Sequence, residues 1–155
     1  MGSVDDIDMR ILQELQQDGR LSNQDLADRV GLSPSPCLRR VRRLEEDGVL
    51  IGYRAVVDPR AVGLAITAFV RLRLESHSPE IVEQVETAIR GIPHVTEAYL
   101  MAGDSDFLLK IAVEDLEGYE TLVRTRIRMI PALASIETSF AYGVTKPQSP
   151  LPARR

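Results

Sequence analysis

Four of the five positions from 39 to 43 are arginine, in a chain of 155 residues with a formal net charge of −4. A guanidinium group is a planar fork that pairs bidentately with guanine edges or phosphate oxygens. The acidic balance argues against a protein that coats nucleic acid without selectivity. The cluster therefore predicts a local cationic surface that is suited to contact the base edges and the phosphate backbone of DNA.

The spacing of the neighbouring apolar residues places this cluster on one side of a helix. The inward stripe comprises Cys37, Val41 and Leu44. At 3.6 residues per turn, Ser35, Arg39 and Arg42 then point outward, Arg43 lies on one shoulder, and Arg40 lies on the shoulder nearer the core. The ordinary alternative is a solvated helix face whose arginines pair with the acidic run 45–47.

Two shorter helical patterns precede the arginine helix. Asp5-Asp6 can cap the first, which ends at Gly19,. The second begins after Ser22, and only two residues separate its end from Ser33, which caps the third helix ahead of a favourable first-position proline. Three helices with a tight Gly-containing turn predict a helix-turn-helix. Its DNA contacts are then expected from Ser33, Ser35, Pro36, Arg39, Arg40, Arg42 and Arg43.

From residue 66 the hydrophobic pattern changes to that of a mixed sheet. Strands are predicted at 66–74, 95–101, 107–113 and 136–144, with helices from Ser78 and over 116–129,. The order β-α-β-β-α-β is the ferredoxin-like layout. The predicted fold class is therefore α+β, a winged helix-turn-helix followed by a ferredoxin-like domain. The expected boundaries are 1–52 for the helix-turn-helix, 53–64 for a wing or linker, 65–146 for the ferredoxin-like domain and 147–155 for a disordered tail.

The turn at 102–106 is the second candidate site. Gly103 permits positive φ, so that backbone amides can turn toward a carboxylate,. Asp104 and Asp106 offer acceptors for an ammonium group, and donors beside acceptors suit a zwitterion. Gly-Asp is also ordinary hairpin chemistry, and spacing alone favours that simpler interpretation.

Composition narrows the remaining classes. No apolar run can span a bilayer, the acidic first residues lack a secretory signal, and the single Cys37 fits a reducing compartment, so a cytoplasmic protein without a disulfide is expected,. Cys37 is interpreted as a buried small hydrophobe. His77 and His94 have no acid or nucleophile partner evident in sequence, and we interpret both as surface residues. No catalytic set, metal site or cofactor is predicted.

Three alternatives from other classes stay open at this point. An enzyme with an amino-acid-binding regulatory domain needs a nucleophile–base pair, which the sequence does not offer. A metal-responsive repressor or metal carrier needs a Cys-x-x-Cys or a His/Cys cluster, which is missing,. A DNA-architectural protein without a ligand differs from a sensor only in binding data.

Several stretches resemble the Lrp/AsnC (leucine-responsive/asparagine-responsive, or feast/famine) family of transcription regulators, over about Asp5 to Lys146. They are residues 5–8, 18–22, 30–45, 48–53 and 103–110, and Thr138 matches a threonine common on the last strand. Ser105 departs from the family, which frequently has a bulky residue there, as does Ile136, where a threonine is common. These departures concern the identity of the effector.

The resemblance implies a regulator without enzymatic activity that binds double-stranded DNA at a pseudo-palindromic operator. It implies that the ferredoxin-like half binds a small effector, an amino acid, and forms dimers through the sheets and larger discs, often octamers. Effectors are implied to bind between dimers, beside the Gly-Asp loop. The implied effector-binding residues are Gly103, Asp104, Ser105, Asp106 and Thr138.

Overall fold

A computed structural model describes residues 4–152. The chain divides into two compact units, Met1–Val56 with Thr145–Arg155, and Val57–Val144. The predicted domains, 1–52 and 65–146, differ from this division, since residues 53–56 and 145–146 belong to the first unit and 57–64 to the second. No helix within 4–152 is both long and apolar enough to cross a membrane.

Three helices build the first unit: α1 over Asp6–Gln17, α2 over Asn23–Val30 and α3 over Pro34–Glu46. Each helix contributes one apolar stripe to a common core. The buried members of that core are Ile11, Leu15, Leu26, Ala27, Val30, Cys37 and Leu44. The predicted helix-turn-helix is confirmed, including the inward position of Cys37.

Local signals in the sequence set where these helices begin and end. Asp5 caps α1 and forms a reciprocal capping box with Asp8,. The Ser22 hydroxyl accepts a hydrogen bond from a first-turn amide of α2, and Gly31 ends that helix at φ 73°,. Ser33 occupies the N-cap position of α3, but its side chain makes no capping hydrogen bond.

The predicted wing or linker, residues 53–64, contains no strand. The segment 51–57 has no regular secondary structure, and Ile51 and Val56 are 94% and 95% exposed. An isolated two-stranded hairpin is marginally stable, and this segment has no third strand to pair with. Tyr53 is held more firmly, because its hydroxyl donates to Glu45 of α3 at 3.1 Å.

The C-terminal residues up to 152 also lack regular secondary structure. Within the first unit, the Leu151 amide donates to Gln16 of α1 at 2.7 Å, and Arg54 donates to Gln148 at 3.1 Å. These contacts involve the part of the predicted tail 147–155 that is described. Its last three positions lie outside the described residues.

The second unit is a four-stranded antiparallel sheet with two α-helices. Its elements are β1 Ile66–Leu74, α4 Pro79–Arg90, β2 Val95–Leu100, β3 Phe107–Val113, α5 Leu116–Thr125 and β4 Leu133–Phe140. The strand order β2-β3-β1-β4 is that of a ferredoxin-like sheet, which confirms the predicted fold class,. The predicted bounds of β1 and β3 match these ranges.

Two predicted elements of this unit need correction. The helix predicted over 116–129 ends at Thr125 and is followed by a 3₁₀ turn. The last strand occupies 133–140 rather than 136–144, because Ala132 at φ 53° turns the chain and Leu133 pairs with Leu74. Pairing along β1 therefore overrides the weak strand propensity of the first residues of β4.

The two faces of the sheet differ in burial. Val70, Leu72 and Leu74 of β1 are buried in the core beneath the helices. On the opposite face, Phe69 of β1 and Leu108 of β3 are only half-buried. This second face carries apolar side chains that the two helices of the unit do not cover.

Candidate DNA interface and effector loop

The outer face of α3 presents the predicted contact residues together. Ser35, Arg39, Arg42 and Arg43 line one shallow depression of its surface. Arg39 and Arg42 are exposed and form no ion pair with any described residue. Of the other predicted contacts, Ser33 lies exposed at the N-cap and Pro36 is half-buried in the first turn. The helix thus exposes two uncommitted guanidinium groups.

The other two arginines of α3 bind carboxylates of α1. Asp8 is fully buried, and its two oxygens accept from Arg40, at 2.8 Å, and from Arg43. Arg40 also donates to the exposed carboxylate of Asp5 at 2.7 Å. The acidic run 45–47, the alternative partner considered from sequence, forms no ion pair with these arginines.

Asp8 is a residue of this cluster that the sequence analysis did not single out. It occurs three positions before Ile11 and seven before Leu15, so helical periodicity places it on the inward face of α1,. A carboxylate on an apolar stripe needs a buried cation. This spacing was the signal in the sequence that Asp8 faces inward. Its partners, Arg40 and Arg43, occur 32 and 35 residues later in the chain.

The ionisation of this cluster follows from its hydrogen bonds. The pKa of Asp5 is lowered to about 2, first by the backbone N–H of Asp8 and then by the Arg40 side chain,. The pKa of Arg40 is raised, chiefly by Asp5 and then by Asp8. Burial raises the pKa of the Cys37 thiol, which keeps that side chain neutral inside the core.

The turn between α2 and α3 is fixed by a side-chain bond as well as by Gly31. The Asn23 amide donates to the carbonyl of Pro34 at 2.9 Å, joining the first turns of the two helices. A rigid turn holds the N-terminus of α3, with its serines, at one angle to α2. Such a constraint is what a recognition helix requires to enter the major groove in one orientation.

In the second unit, the predicted effector loop is a tight turn braced by Asp106. One carboxylate oxygen of Asp106 accepts from the Leu74 amide at 2.7 Å, and the other lies 2.8 Å from His77 Nε2. Both bonds lower the pKa of Asp106, and the bond from the Leu74 amide has the largest effect. Burial of the carboxyl group raises the pKa and ranks second, ahead of the bond to His77. His77 is exposed, as predicted, and it has an acid partner that was not evident in the sequence.

The other residues of the loop are exposed or half-buried. Gly103 has φ 140°, a conformation that favours glycine,. Asp104 is exposed, and its carboxylate makes no hydrogen bond with the described residues; Ser105 is half-buried. The loop thus keeps one carboxylate uncommitted, whereas the second predicted carboxylate, Asp106, serves the turn itself.

Thr138 lies away from this loop within one chain. It stands opposite Val70 in the β1–β4 pairing, whereas the loop lies at the Leu72–Leu74 end of β1. Its hydroxyl contacts that of Tyr119 on α5, and no hydrogen bond between described residues joins it to Gly103. The structure therefore does not bring all five predicted effector residues together in a single chain.

A separate depression of about 550 Å³ occurs in the same unit. Its lining includes His94, Glu114, Glu117 and Arg126, and it does not include the loop. No group of three His, Cys, Asp or Glu side chains in residues 4–152 is arranged to hold a metal ion.

Comparison with known proteins decides the family. A family model described as the Lrp/AsnC ligand binding domain matches residues 67–151, and a winged helix-turn-helix DNA-binding model matches residues 4–51. The chain belongs to the Lrp/AsnC family. The resemblance inferred from the motifs is therefore confirmed.

Relatives cover nearly the whole of this Lrp/AsnC chain. The leucine-responsive regulatory protein of Escherichia coli strain K12 is 42% identical over 87% of the chain and 82% of its own length. That of Haemophilus influenzae is 40% identical over 88% of the chain and 82% of its own length. Both descriptions are of regulatory proteins.

Solved structures agree with the fold. A transcriptional regulator of Neisseria meningitidis in complex with L-Met has a TM-score of 0.90 at 33% identity, with 97% of each chain covered. An AsnC family regulator of Agrobacterium tumefaciens also has a TM-score of 0.90, at 38% identity and 96% coverage of each chain. The protein is a DNA-binding transcription regulator with a domain for a small effector, and not an enzyme.

Proposed function

We propose that this regulator binds a pseudo-palindromic operator in the cytoplasm as an assembly of dimers, and that a free amino acid modulates this binding. Residues 1–52 serve as the DNA-binding domain and 65–146 as the effector-binding and oligomerisation domain. The observation that carries the proposal is the outer face of α3, where Arg39 and Arg42 are exposed and have no partner among the described residues.

On DNA, the N-terminal part of α3 supplies base contacts and its later part supplies phosphate contacts. Arg39, one turn into the helix, is assigned to a base edge, and Arg42 to a phosphate. Ser33, Ser35 and Pro36 contribute at the entry to the groove. Arg40 and Arg43 flank this surface and are already engaged by Asp8.

The effector is proposed to bind at the loop 102–106. An amino acid is a zwitterion, and the loop offers Asp104 for the ammonium group and backbone amides at 103–105 for the carboxylate. The L-Met bound to the Neisseria neighbour supports this class of ligand. Met101 and Ala102 add no charge, which favours an apolar or small amino acid.

The exposed loop needs a cover to bind tightly. Charge pairs open to water contribute only about 0–1 kcal/mol, and exclusion of water strengthens them. A neighbouring dimer that covers the loop, and brings its own Thr138 nearby, provides that exclusion. Effector binding then biases assembly, and assembly sets which half-sites are held together.

Assembly itself is supported by the uncovered face of the sheet. Phe69 and Leu108 lie on this face, and the half-exposed Tyr99 pairs with Leu108 across β2 and β3. Apolar patches of this kind are covered in oligomers. Two-fold pairing also supplies the second recognition helix, about 34 Å from the first, that a palindromic site requires.

The test begins with a thermal-shift screen of the free amino acids on the full-length protein. Any amino acid that stabilises it is then added to measurements of DNA affinity and of particle size by light scattering. We expect a change in both. Absence of stabilisation by every amino acid, or a monomer at micromolar concentration, contradicts the proposal.

A further inference from the structure

We propose that Asp8 is a positioning residue for DNA recognition, which decides how many arginines of α3 reach the DNA. It acts through Arg40 and Arg43, and the inference rests on the proposed role of α3 as the recognition helix. In this arrangement only Arg39 and Arg42 remain available to bases and phosphates.

The geometry of the cluster is asymmetric. The Asp8 side chain has no exposed surface, while those of Arg40 and Arg43 retain 26% and 46% exposure. Each oxygen of Asp8 serves one arginine, and Asp5 adds a second acceptor for Arg40. The oxygen that accepts from Arg43 also accepts from the Asp5 amide at 3.2 Å, but each oxygen has a cationic partner only while both arginines point back toward α1.

A DNA phosphate cannot readily take these arginines away. If Arg43 left for a phosphate, Asp8 would lose the cation on one oxygen while it remained inaccessible to water. An incompletely paired buried charge is costly, whereas a phosphate contact at the surface is weakened by solvent and salt. Arg43 is thus retained on Asp8, although nearly half of its side chain is exposed.

The clamp, which Asp8 forms with Arg40 and Arg43, also sets the charge of the recognition surface. Two of the four arginines of α3 pair with the carboxylates of Asp8 in α1 and of its N-cap Asp5, so two guanidinium groups, rather than four, stay unpaired for DNA. Fewer free cations lower the affinity for any DNA sequence. Fixed side chains at the same time keep α3 in one orientation against α1, which favours the correct operator.

The experiment compares Asp8→Asn with the wild-type full-length protein on two duplexes. One duplex is enriched from a random pool by the wild-type protein, and the other is a scrambled sequence of the same composition. Affinities are measured by fluorescence anisotropy between 50 and 200 mM salt. Glu14→Gln is the matched control, because Glu14 is a carboxylate of α1 that pairs with Arg29 of α2 at 2.9 Å, away from α3.

We expect Asp8→Asn to steepen the salt dependence on scrambled DNA by about 0.9 per released arginine, hence by about one to two in the log–log slope. We expect the preference for the enriched duplex to fall about tenfold. Adding Arg43→Gln to Asp8→Asn should bring the slope back by about one. A residue that only supports the fold does not produce a steeper slope and its reversal.

Two outcomes separate this inference from the proposal beneath it. If wild-type and Glu14→Gln proteins bind both duplexes without salt dependence, α3 is not the DNA interface. If they bind as expected and folded Asp8→Asn shows an unchanged slope and preference, the role of Asp8 is wrong. Should Asp8→Asn fail to fold, Arg43→Gln in the wild-type background decides: an arginine retained on Asp8 makes no phosphate contact, so an unchanged slope is expected and a slope that falls by about one overturns the inference.

Discussion

The two functional surfaces of this protein differ in how complete they are within one chain. On α3, the contact residues are set by the packing of the helix-turn-helix, with Arg39 and Arg42 outward and Arg40 and Arg43 held by Asp8. In the loop at 102–106, the Asp104 carboxylate has no hydrogen-bond partner among the described residues. Gly103 and Asp104 are exposed to solvent. In the proposed function, one chain therefore supplies all the contacts to one DNA half-site, whereas the effector site is completed by a second chain.

The difference extends to how each site uses its charges. In the first unit a buried carboxylate withholds cations from the surface. In the second unit, the Asp106 carboxylate accepts from the Leu74 amide and contacts His77. These two bonds fix the turn that carries Asp104. Both sites therefore contain a charged residue that positions its neighbour, and each can be disturbed separately from the residue it positions.

The largest expected effect is on folding. Replacing Arg40 and Arg43 together by alanine leaves Asp8 buried without a cation, and such a change costs about 3–5 kcal/mol. The free energy of unfolding, measured by urea denaturation, should fall by that amount. The matched double variant of Arg39 and Arg42 should change it by no more than about 0.5 kcal/mol, because these side chains are exposed,. Equal losses in the two variants contradict the division of the arginines.

The next effect is on DNA affinity. Arg39→Ala should cost about 1–3 kcal/mol on the preferred operator and relax sequence choice, as loss of a base contact does. Arg42→Ala should weaken all sequences alike and reduce the salt slope by about one, as loss of a phosphate contact does. Competition binding with single-base operator variants distinguishes the two. If Arg42→Ala alters sequence preference, the assigned roles are reversed.

The effector loop should respond in the opposite way. Asp104→Ala should abolish the effect of the amino acid on DNA binding, a coupling of about 1–3 kcal/mol, while basal affinity for the operator is retained. Titration of effector into the operator complex, followed by light scattering, measures both coupling and assembly. Glu117→Ala, in the separate depression, is the control. A response lost in Glu117→Ala and kept in Asp104→Ala places the effector in that depression.

Periodicity and capping were sufficient to predict most of the architecture. The bounds of β1 and β3, the inward stripe of α3 and the outward pair of arginines follow from local patterns. The clamp did not follow, since a carboxylate such as Asp8 is usually solvated, and its partners occur more than 30 residues later. The same holds for His77 and Asp106, which are 29 residues apart and meet only after the sheet forms.

The predicted start of β4 was wrong for a related reason. Its register is imposed by β1, from Leu133 opposite Leu74 onward, and the residues that begin it have little strand propensity of their own,. Tertiary pairing decided where local preference was weak. Thr138, which the resemblance implied as an effector residue, contacts Tyr119 within one chain, and its role toward the effector stays a prediction.

The smallest expected effects are in acid, where the pKa of a carboxyl group is lowered at Asp5 in the first unit and at Glu80 and Asp106 in the second. Asp5 in the first unit has a folded pKa of about 2, below the ordinary 3.8, and the pKa of Asp106 in the second unit is lowered as well. A lowered folded pKa means that the native state prefers the ionised carboxyl group. Its contribution to stability is present above the unfolded pKa and is lost as the pH falls through the folded value.

For Asp5 this window is from about pH 4 to about pH 2. Amide exchange on the full-length protein can follow Leu15 for the first unit and Leu109 for the second, both of which are buried. Asp5→Asn should flatten the acid loss of protection at Leu15 and leave Leu109 unaffected, because asparagine keeps the cap but has no proton to bind. Asp106→Asn should do the reverse. If either variant flattens both profiles, the acid response belongs to the whole chain, and the two sites are not independently braced.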